Sequence, residues 1–150
     1  MSVSVRIACV AAVAMFLGLA CDGPSLEKDF FKQPFETRVE RLRGYPLADQ
    51  YRIFRYGNDK IEPPLIDLAT PIAERGSVAV LFLVEQLKGT PDDVTVRDVL
   101  LIFDRMALMK SYDVAGGAAL MATLRAKVAG IKDPEWKHLG ESMIRSITEP

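Results

Sequence analysis

Prolines in this chain stand at the heads of segments whose apolar residues repeat with the period of an α-helix. The last such segment follows Asp133-Pro134, and its apolar residues are Trp136, Leu139, Met143 and Ile147. Proline fits the first turn of a helix, and apolar residues three and four positions apart form one buried stripe. No segment alternates apolar and polar residues over the length of a strand. The sequence therefore predicts an all-α fold.

Proline also marks helix starts earlier in the chain. Pro34 is predicted to open a helix that carries Phe35 on its apolar face, and Pro46 is predicted to open a second helix. Thr90-Pro91 looks like the start of another, with threonine as the cap and proline at the first helical position. These starts divide the domain into several short helices.

One segment, residues 78–88, is apolar nearly all round and lies between Ser77 and Gly89. Periodicity alone does not distinguish a buried strand from a buried helix in such a segment. Serine is a common N-cap, and glycine commonly ends a helix. The length of the segment and its two ends favour a helix in the centre of the domain.

The helix-opening prolines also indicate a repeat. Pro46, Pro91 and Pro134 lie 45 and 43 residues apart, within the period of about 40–47 residues of HEAT and armadillo units. Residues 78–106 resemble one HEAT repeat, and residues 133–137 resemble the Asp-Pro-x-Val-Arg run of that family. The resemblance implies antiparallel helical hairpins stacked as a short HEAT-like or armadillo-like solenoid, whose surface would bind other macromolecules. An irregular helical bundle is the alternative.

The chain begins with the pattern of an export signal. Arg6 is followed by an uncharged, mostly apolar stretch, residues 7–20. This stretch is shorter than the roughly 20 residues of a membrane-spanning helix, but it has the length of a signal-peptide h-region, about 7–15 residues. Residues 1–20 are therefore interpreted as a signal peptide.

The end of this stretch, Leu17-Gly18-Leu19-Ala20-Cys21, resembles the lipobox of bacterial lipoproteins. The resemblance implies cleavage between Ala20 and Cys21 and attachment of lipid to Cys21. Ordinary secretion with cleavage after Ala20 is the alternative, because Gly18-Leu19-Ala20 also has the small-x-small pattern of a cleavage site.

Cysteine usage favours the lipoprotein interpretation. The chain has two cysteines, and Cys9 would be removed with the signal, which leaves Cys21 alone. A single thiol cannot form an internal disulfide in an exported protein. We therefore expect Cys21 to anchor the protein to the cell envelope, facing the periplasm. Asp22 is similar to the residue that retains enterobacterial lipoproteins in the inner membrane, a lineage-dependent rule that leaves inner or outer membrane open.

The sequence then divides into three parts: the signal peptide (1–20), the lipidated cysteine with its tether (21–33), and the helical domain (34–150). Phe30 and Phe31 lie in the second part. They are expected to dock on the domain rather than to enter the headgroup region, because adjacent aromatics without a basic amphipathic face make a poor membrane helix.

No catalytic, metal or cofactor site is expected. His138 and Glu135 form a Glu-x-x-His pair, but helix-bundle metal sites need two such pairs and further carboxylates. Asp92 and Asp93 are explained by a helix start, where they complement the dipole. Gly116-Gly117 lacks the spacing and the preceding strand of a phosphate loop.

The best surface candidate is a run of aromatic and basic residues. Tyrosine and arginine are enriched at interface hot spots, and the predicted binding patch consists of Tyr45, Tyr51, Arg52, Arg55 and Tyr56. The alternative is an ordinary helix with an aromatic core face and solvated arginines.

Charge excludes one class of partner. The 19 basic and 20 acidic residues nearly balance, for a formal net charge of −1, and nucleic-acid binding needs a clustered basic face. The expected partners are membrane lipid, through Cys21, and another envelope protein. The predicted function is a non-enzymatic scaffold or protein-binding module. A carboxylate-dependent envelope hydrolase and a small inhibitor or immunity-type protein are the alternatives.

Overall fold

The computed structural model describes residues 25–89 and 91–149. In these ranges the chain forms eight α-helices, two short 3-10 turns and no strand, so the all-α prediction is confirmed. The α-helices are α1 (Leu26–Phe31), α2 (Arg38–Leu42), α3 (Leu47–Lys60), α4 (Ala69–Ala73), α5 (Ser77–Gln86), α6 (Asp93–Met109), α7 (Ala118–Ala129) and α8 (Pro134–Thr148); the 3-10 turns are Phe35–Thr37 and Ile66–Leu68.

The N-terminal predictions fall before this part of the chain. The signal peptide, its cleavage after Ala20 and the lipid site at Cys21 all lie outside the described residues. Between residues 25 and 149, as far as they are described, no helix combines the length and the apolar character needed to cross a bilayer.

Aspartate side chains start the two longest helices. Asp133 precedes α8, and its carboxylate accepts hydrogen bonds from two N–H groups of the first turn at 2.9 and 3.0 Å, so the predicted start of α8 is confirmed. At α6 the N-cap is Asp92, which accepts from the N–H of Thr95 at 2.7 Å. The predicted start is therefore wrong: Pro91 precedes the helix instead of opening it. Thr90 lies outside the described residues.

Helix α6 is the centre of the body. It packs most extensively against α8 and α4, and it also contacts α5 and α7. Buried apolar side chains supply most of the favourable free energy of folding, and α6 carries a continuous buried stripe. Its completely buried apolar side chains are Val99, Ile102, Phe103 and Met106.

Most of residues 78–88 lie in helix α5, so the predicted choice of a helix over a strand is confirmed. Helix α5 lies at the surface, however, so its predicted position in the centre of the domain is wrong. Val78 and Leu81 are 63 % and 73 % exposed. Ser77 is the first residue of the helix rather than its cap, and Gly76 precedes it with a φ of 56°. Helix α5 carries more apolar side chains than its contacts with α6 and α3 bury.

Close packing of α8 on α7 depends on Gly140. A Cβ atom on Gly140 would lie 3.2 Å from a methyl carbon of Val128. Met143 and Ile147 continue the same buried face, whereas Leu139, predicted to face inward, is 42 % exposed. After Trp136, a helical stripe can continue at the third residue, Leu139, or at the fourth, Gly140. The close contact with Val128 favours the small glycine, so Gly140 is the buried residue.

Helix α1 belongs to the packed body. Phe30 is 2 % exposed, and its ring centroid lies 5.8 Å from that of Tyr45. Phe31 stacks on Tyr56 with 5.5 Å between the ring centroids. The predicted docking of these two phenylalanines is confirmed. Helix α1, which lies within the predicted tether, is therefore packed against the helical domain.

Alternate helices pack side by side in the second half of the chain. Helix α4 lies against α6, and α6 lies against α8. The formation of a HEAT-like or armadillo-like solenoid, as opposed to an irregular bundle, stays a prediction. The groove described next lies beside α2 and the loop that leads to α4.

Candidate functional site

An open groove of about 640 Å³ lies between two short segments of the body. One wall consists of Phe35, Glu36, Arg38 and Val39, from the first 3-10 turn and the start of α2. The other wall is the loop of residues 61–68 between α3 and α4. Most of these wall residues are apolar or proline, so the groove offers an apolar surface with a few charges. We call it the Phe35–Ile66 groove.

Two large apolar side chains of the groove are open to solvent. Phe35 is 60 % exposed and Ile66 is 47 % exposed. They face a common space together with Pro63 and Pro64. Contiguous exposed apolar surface of this kind marks interaction sites more often than isolated exposed side chains do. The groove can therefore bury apolar groups of a partner.

The local backbone explains why Phe35 is exposed. Phe35 was predicted to lie on the buried face of a helix, and this prediction is wrong. It begins the 3-10 turn Phe35–Thr37, and α2 begins only at Arg38. A 3-10 turn has three residues per turn, not 3.6, so the buried face of α2, which contains Leu42, does not continue back to Phe35.

Three carboxylates stand among the groove residues. Glu36 belongs to the first wall, and Glu62 and Asp67 belong to the second. Of these three, only Asp67 takes part in an ion pair among the described residues, with Arg105 at 3.1 Å. Both glutamates are exposed. The apolar surface is thus accompanied by one uncompensated negative charge on each wall.

Arg38 is the one basic side chain in the described walls, and it is already engaged. Its guanidinium donates to the backbone carbonyls of Gln33 at 3.1 Å and Phe31 at 2.9 Å. It also lies 5.2 Å from the ring centroid of Phe31 and 5.7 Å from that of Phe35. Arg38 therefore holds α1 and the first wall together.

The predicted Tyr–Arg patch does not form one surface. Tyr51 is 4 % exposed, and its ring packs edge-on against Phe82 with 5.4 Å between centroids. Burial raises the pKa of Tyr51 to about 12. Tyr45 packs against Phe30. Tyr51 therefore packs α3 against α5, and Tyr45 packs the turn before α3 against α1.

The other three patch residues line a shallow groove of about 300 Å³. Arg52 donates to Glu27 of α1 at 2.7 Å. Arg55 donates to the buried carboxylate of Asp98 at 3.4 Å. Tyr56 stacks on α1. The charges and the ring are engaged within the body, which makes this groove a weaker candidate than the Phe35–Ile66 groove.

A buried polar cluster lies where α3 meets α6. Asp98 is completely buried, and one of its oxygens accepts from Asn58 at 2.6 Å and from Arg97 at 2.8 Å. The other oxygen accepts from Arg55. The guanidinium of Arg97 lies 5.0 Å from the ring centroid of Trp136 on α8. The cluster therefore connects three helices.

This cluster is structural. Burial raises the pKa of Asp98, and the hydrogen bonds and charges of Arg97, Asn58 and Arg55 oppose that rise only in part. A general acid or base must reach the proton that it transfers. The Asp98 carboxylate is enclosed and both of its oxygens are bonded, so it is not placed for catalysis.

The remaining polar candidates are accounted for by the fold. Glu135 and His138 are both exposed, and no group of three metal-ligating side chains gathers in the described part of the chain. The carboxylate of Asp93 accepts the backbone N–H groups of Lys132 and Asp133 at 3.0 and 3.1 Å. Asp93 therefore ties α6 to the turn before α8.

The sequence contained a signal for the groove that the helical pattern concealed. Pro63 and Pro64 cannot continue a helix, and Leu65 and Ile66 follow them directly. Because the prolines interrupt the helix, the apolar residues after them are not part of a complete helical face that could be buried. Such a segment marks a candidate exposed apolar surface.

Comparison with known proteins does not assign a function. No protein-family model, no curated protein and no solved structure matches this chain.

Proposed function

We propose that this chain is an exported, lipid-anchored protein of the bacterial cell envelope whose helical body binds another envelope protein. The observation that carries the binding role is the Phe35–Ile66 groove, with Phe35 60 % and Ile66 47 % exposed. Burial of apolar surface drives most protein association, and these side chains are not buried within the body. The predicted Tyr–Arg patch is left as a secondary surface.

The anchor is supported by the N-terminal sequence. The run Leu17-Gly18-Leu19-Ala20-Cys21 resembles a lipobox, and Cys21 is the single cysteine that would remain after cleavage. One acyl chain anchors only marginally, with each buried methylene contributing about 0.8 kcal/mol. Several acyl chains on Cys21 would hold the protein firmly, and the choice between inner and outer membrane stays open.

A binding role is preferred to catalysis because the candidate acidic side chains are either engaged in holding the fold or exposed to solvent. The proposed enzyme alternative was a hydrolase that depends on carboxylates. Asp98 is bonded on both oxygens, Asp92 caps α6, and Asp93 holds the turn before α8. Glu36 and Glu62 are exposed in an open groove, where burial cannot tune a carboxylate for acid–base chemistry.

The anchor is tested by metabolic labelling. Cells that express the native chain or Cys21→Ser are grown with an alkyne fatty acid, and the purified chains are compared. We expect label on the native chain and none on Cys21→Ser. Equal labelling of the two chains would remove the anchor from the proposal.

The binding role is tested by photocrosslinking in the envelope. A photoreactive amino acid replaces Ile66 in one chain and Leu81 in a matched control, since both side chains are exposed and apolar. We expect a discrete protein adduct from position 66 that is absent from position 81. The same adducts from both positions, or none from position 66, would contradict a partner at the groove.

A further inference from the structure

We infer that the Phe35–Ile66 groove binds a protein segment whose apolar side chains are flanked by lysine or arginine. This inference rests on the proposed binding function and adds the chemistry of the partner. It follows from the combination of an exposed apolar surface with unpaired carboxylates on both walls.

The surface of the groove indicates that the bound segment carries apolar side chains. Phe35 and Ile66 expose more than two fifths of their surface, and Pro63 and Pro64 lack the backbone N–H that would offer a hydrogen bond. Polar groups of an occupant would find few hydrogen-bond partners over this apolar part of the groove. Leucine-like or aromatic side chains would replace water over this surface with a net gain.

The placement of the glutamates indicates that the bound segment also carries basic side chains. Glu36 stands on the wall formed by the first 3-10 turn, and Glu62 stands on the opposite wall. Neither pairs with a basic group among the described residues, whereas Asp67 pairs with Arg105. A segment lying in the groove therefore meets an unpaired negative charge on each side. Complementary positive charges would strengthen binding and set its orientation.

The basic residue of the wall does not cancel these charges by contact. Arg38 donates to the carbonyl oxygens of Gln33 and Phe31, and its guanidinium lies over the rings of Phe31 and Phe35. The two acceptors lie at the end of α1 and in the turn that follows it, and Arg38 forms no ion pair with either glutamate among the described residues. Glu36 and Glu62 remain available to a partner.

The same charges argue against the bilayer as the occupant. Surfaces that lie on anionic membranes combine apolar residues with lysine and arginine. The Phe35–Ile66 groove combines them with glutamate. Anionic headgroups would meet Glu36 and Glu62 with like charge, so a peptide segment of a partner protein is the better complement.

The test is a binding titration of the full-length, detergent-solubilised protein with two fluorescent peptides. Both peptides have about twelve residues and identical leucine positions; one carries lysine and the other glutamate at the remaining positions. We expect the lysine peptide to bind about tenfold more tightly than the glutamate peptide, with a smaller difference at high salt. Equal affinities would overturn the inference.

Variants locate the binding. Phe35→Ser with Ile66→Ser should abolish binding of the lysine peptide, and Glu36→Gln with Glu62→Gln should weaken it about fivefold. All four side chains are exposed, so the variants should fold, as circular dichroism will check. The control is Glu85→Gln with Glu141→Gln, which makes the same change in net charge away from the groove and should leave affinity unchanged. An equal loss in the control would overturn the inference.

Two further measurements distinguish a protein segment from other possible occupants of the groove. If vesicles of phosphatidylcholine and phosphatidylglycerol bind the full-length Cys21→Ser chain without peptide or detergent, and Phe35→Ser with Ile66→Ser abolishes that binding, the groove contacts the membrane and the inference is overturned. If the protein forms dimers that Phe35→Ser dissociates, a second copy occupies the groove and the inference is again overturned. The peptide assay needs neither Cys21 nor the native partner, so its failure is distinguishable from failure of the labelling or crosslinking experiments.

Discussion

At the scale of single residues, Asp98 is the most constrained side chain of the body. It is completely buried, and an ion in such a place is tolerated only when other groups bond it. Asn58 and Arg97 donate to it at 2.6 and 2.8 Å, and Arg55 lies at 3.4 Å. The free energy of the folded state therefore depends on whether this carboxyl carries a proton.

The substitution Asp98→Asn tests that dependence. Burial raises the pKa of Asp98 above its ordinary value of 3.8, so the folded protein holds the proton more tightly than the unfolded chain. The stability that this group contributes is full below its unfolded pKa and is lost as pH rises through the folded pKa. In urea unfolding from about pH 3.5 to 7, the native chain should lose stability relative to Asp98→Asn as pH rises.

Asp59→Asn supplies a control of opposite sign. The hydrogen bond from Lys60 lowers the pKa of Asp59, so its stabilising contribution is present above its ordinary pKa and is lost as pH falls. Relative to Asp59→Asn, the native chain should gain stability as pH rises, by a small amount because the pair is exposed. If Asp98 showed this same direction, its ion pairs would outweigh its burial, contrary to our expectation.

At the scale of elements, α1 contributes one buried side chain to the core, that of Phe30. Phe30 is 2 % exposed, while Phe35, a few residues later, is 60 % exposed. Phe30→Ala should lower the free energy of unfolding by about 3 kcal/mol, because it leaves a cavity between α1 and the turn before α3. Phe35→Ala should change it by less than about 0.5 kcal/mol. Urea unfolding of both variants checks the difference.

Hydrogen exchange refines this comparison. In Phe30→Ala, amides of α1 should exchange faster while those of α6 remain the best protected, since local openings involve the least packed elements. A Phe35→Ala variant as unstable as Phe30→Ala would show that Phe35 supports the body, and the groove would lose its open apolar side chain.

The helix starts show what local chemistry makes predictable. Asp133-Pro134 was placed correctly because an N-cap and a proline at the first position act within one turn. The start of α6 was misplaced because Thr90 and Asp92 both have side chains that can cap. The tertiary contact of Asp93 with Lys132 and the turn before α8 is not visible in the local sequence.

The exposed faces were less predictable because they depend on neighbours distant in sequence. Tyr51 was a patch candidate, but it is covered by Phe82 of α5. The sequence predicts Leu139 for the stripe of α8, but the close approach of Val128 places Gly140 there instead. The Phe35–Ile66 groove was missed for the same reason, since it requires residues of two separate segments.

At the scale of the whole molecule, the proposed anchor at Cys21 would lie only a short distance from the helical body. Ser25 caps α1 by accepting the N–H of Lys28 at 3.2 Å, so it lies at the start of the first described helix. If Cys21 is lipidated, the chain from Cys21 to Ser25 spans at most about 14 Å at full extension. The proposed lipid anchor would therefore keep α1 close to the headgroups, within reach of partners embedded in or lying on the same membrane.

This geometry gives a measurable prediction for the anchored protein. A fluorophore on Lys28→Cys, an exposed position of α1, should be quenched by lipids that carry a quencher in the headgroup. Inserting a flexible linker of about 20 residues before Ser25 should relieve much of that quenching, because the end-to-end distance of such a linker is about 25 Å. Quenching that the linker leaves unchanged would mean that the body binds the bilayer through its own surface. That outcome would contradict this prediction, because α1 would then be held near the headgroups by a surface of the body and not by the short connection to Cys21.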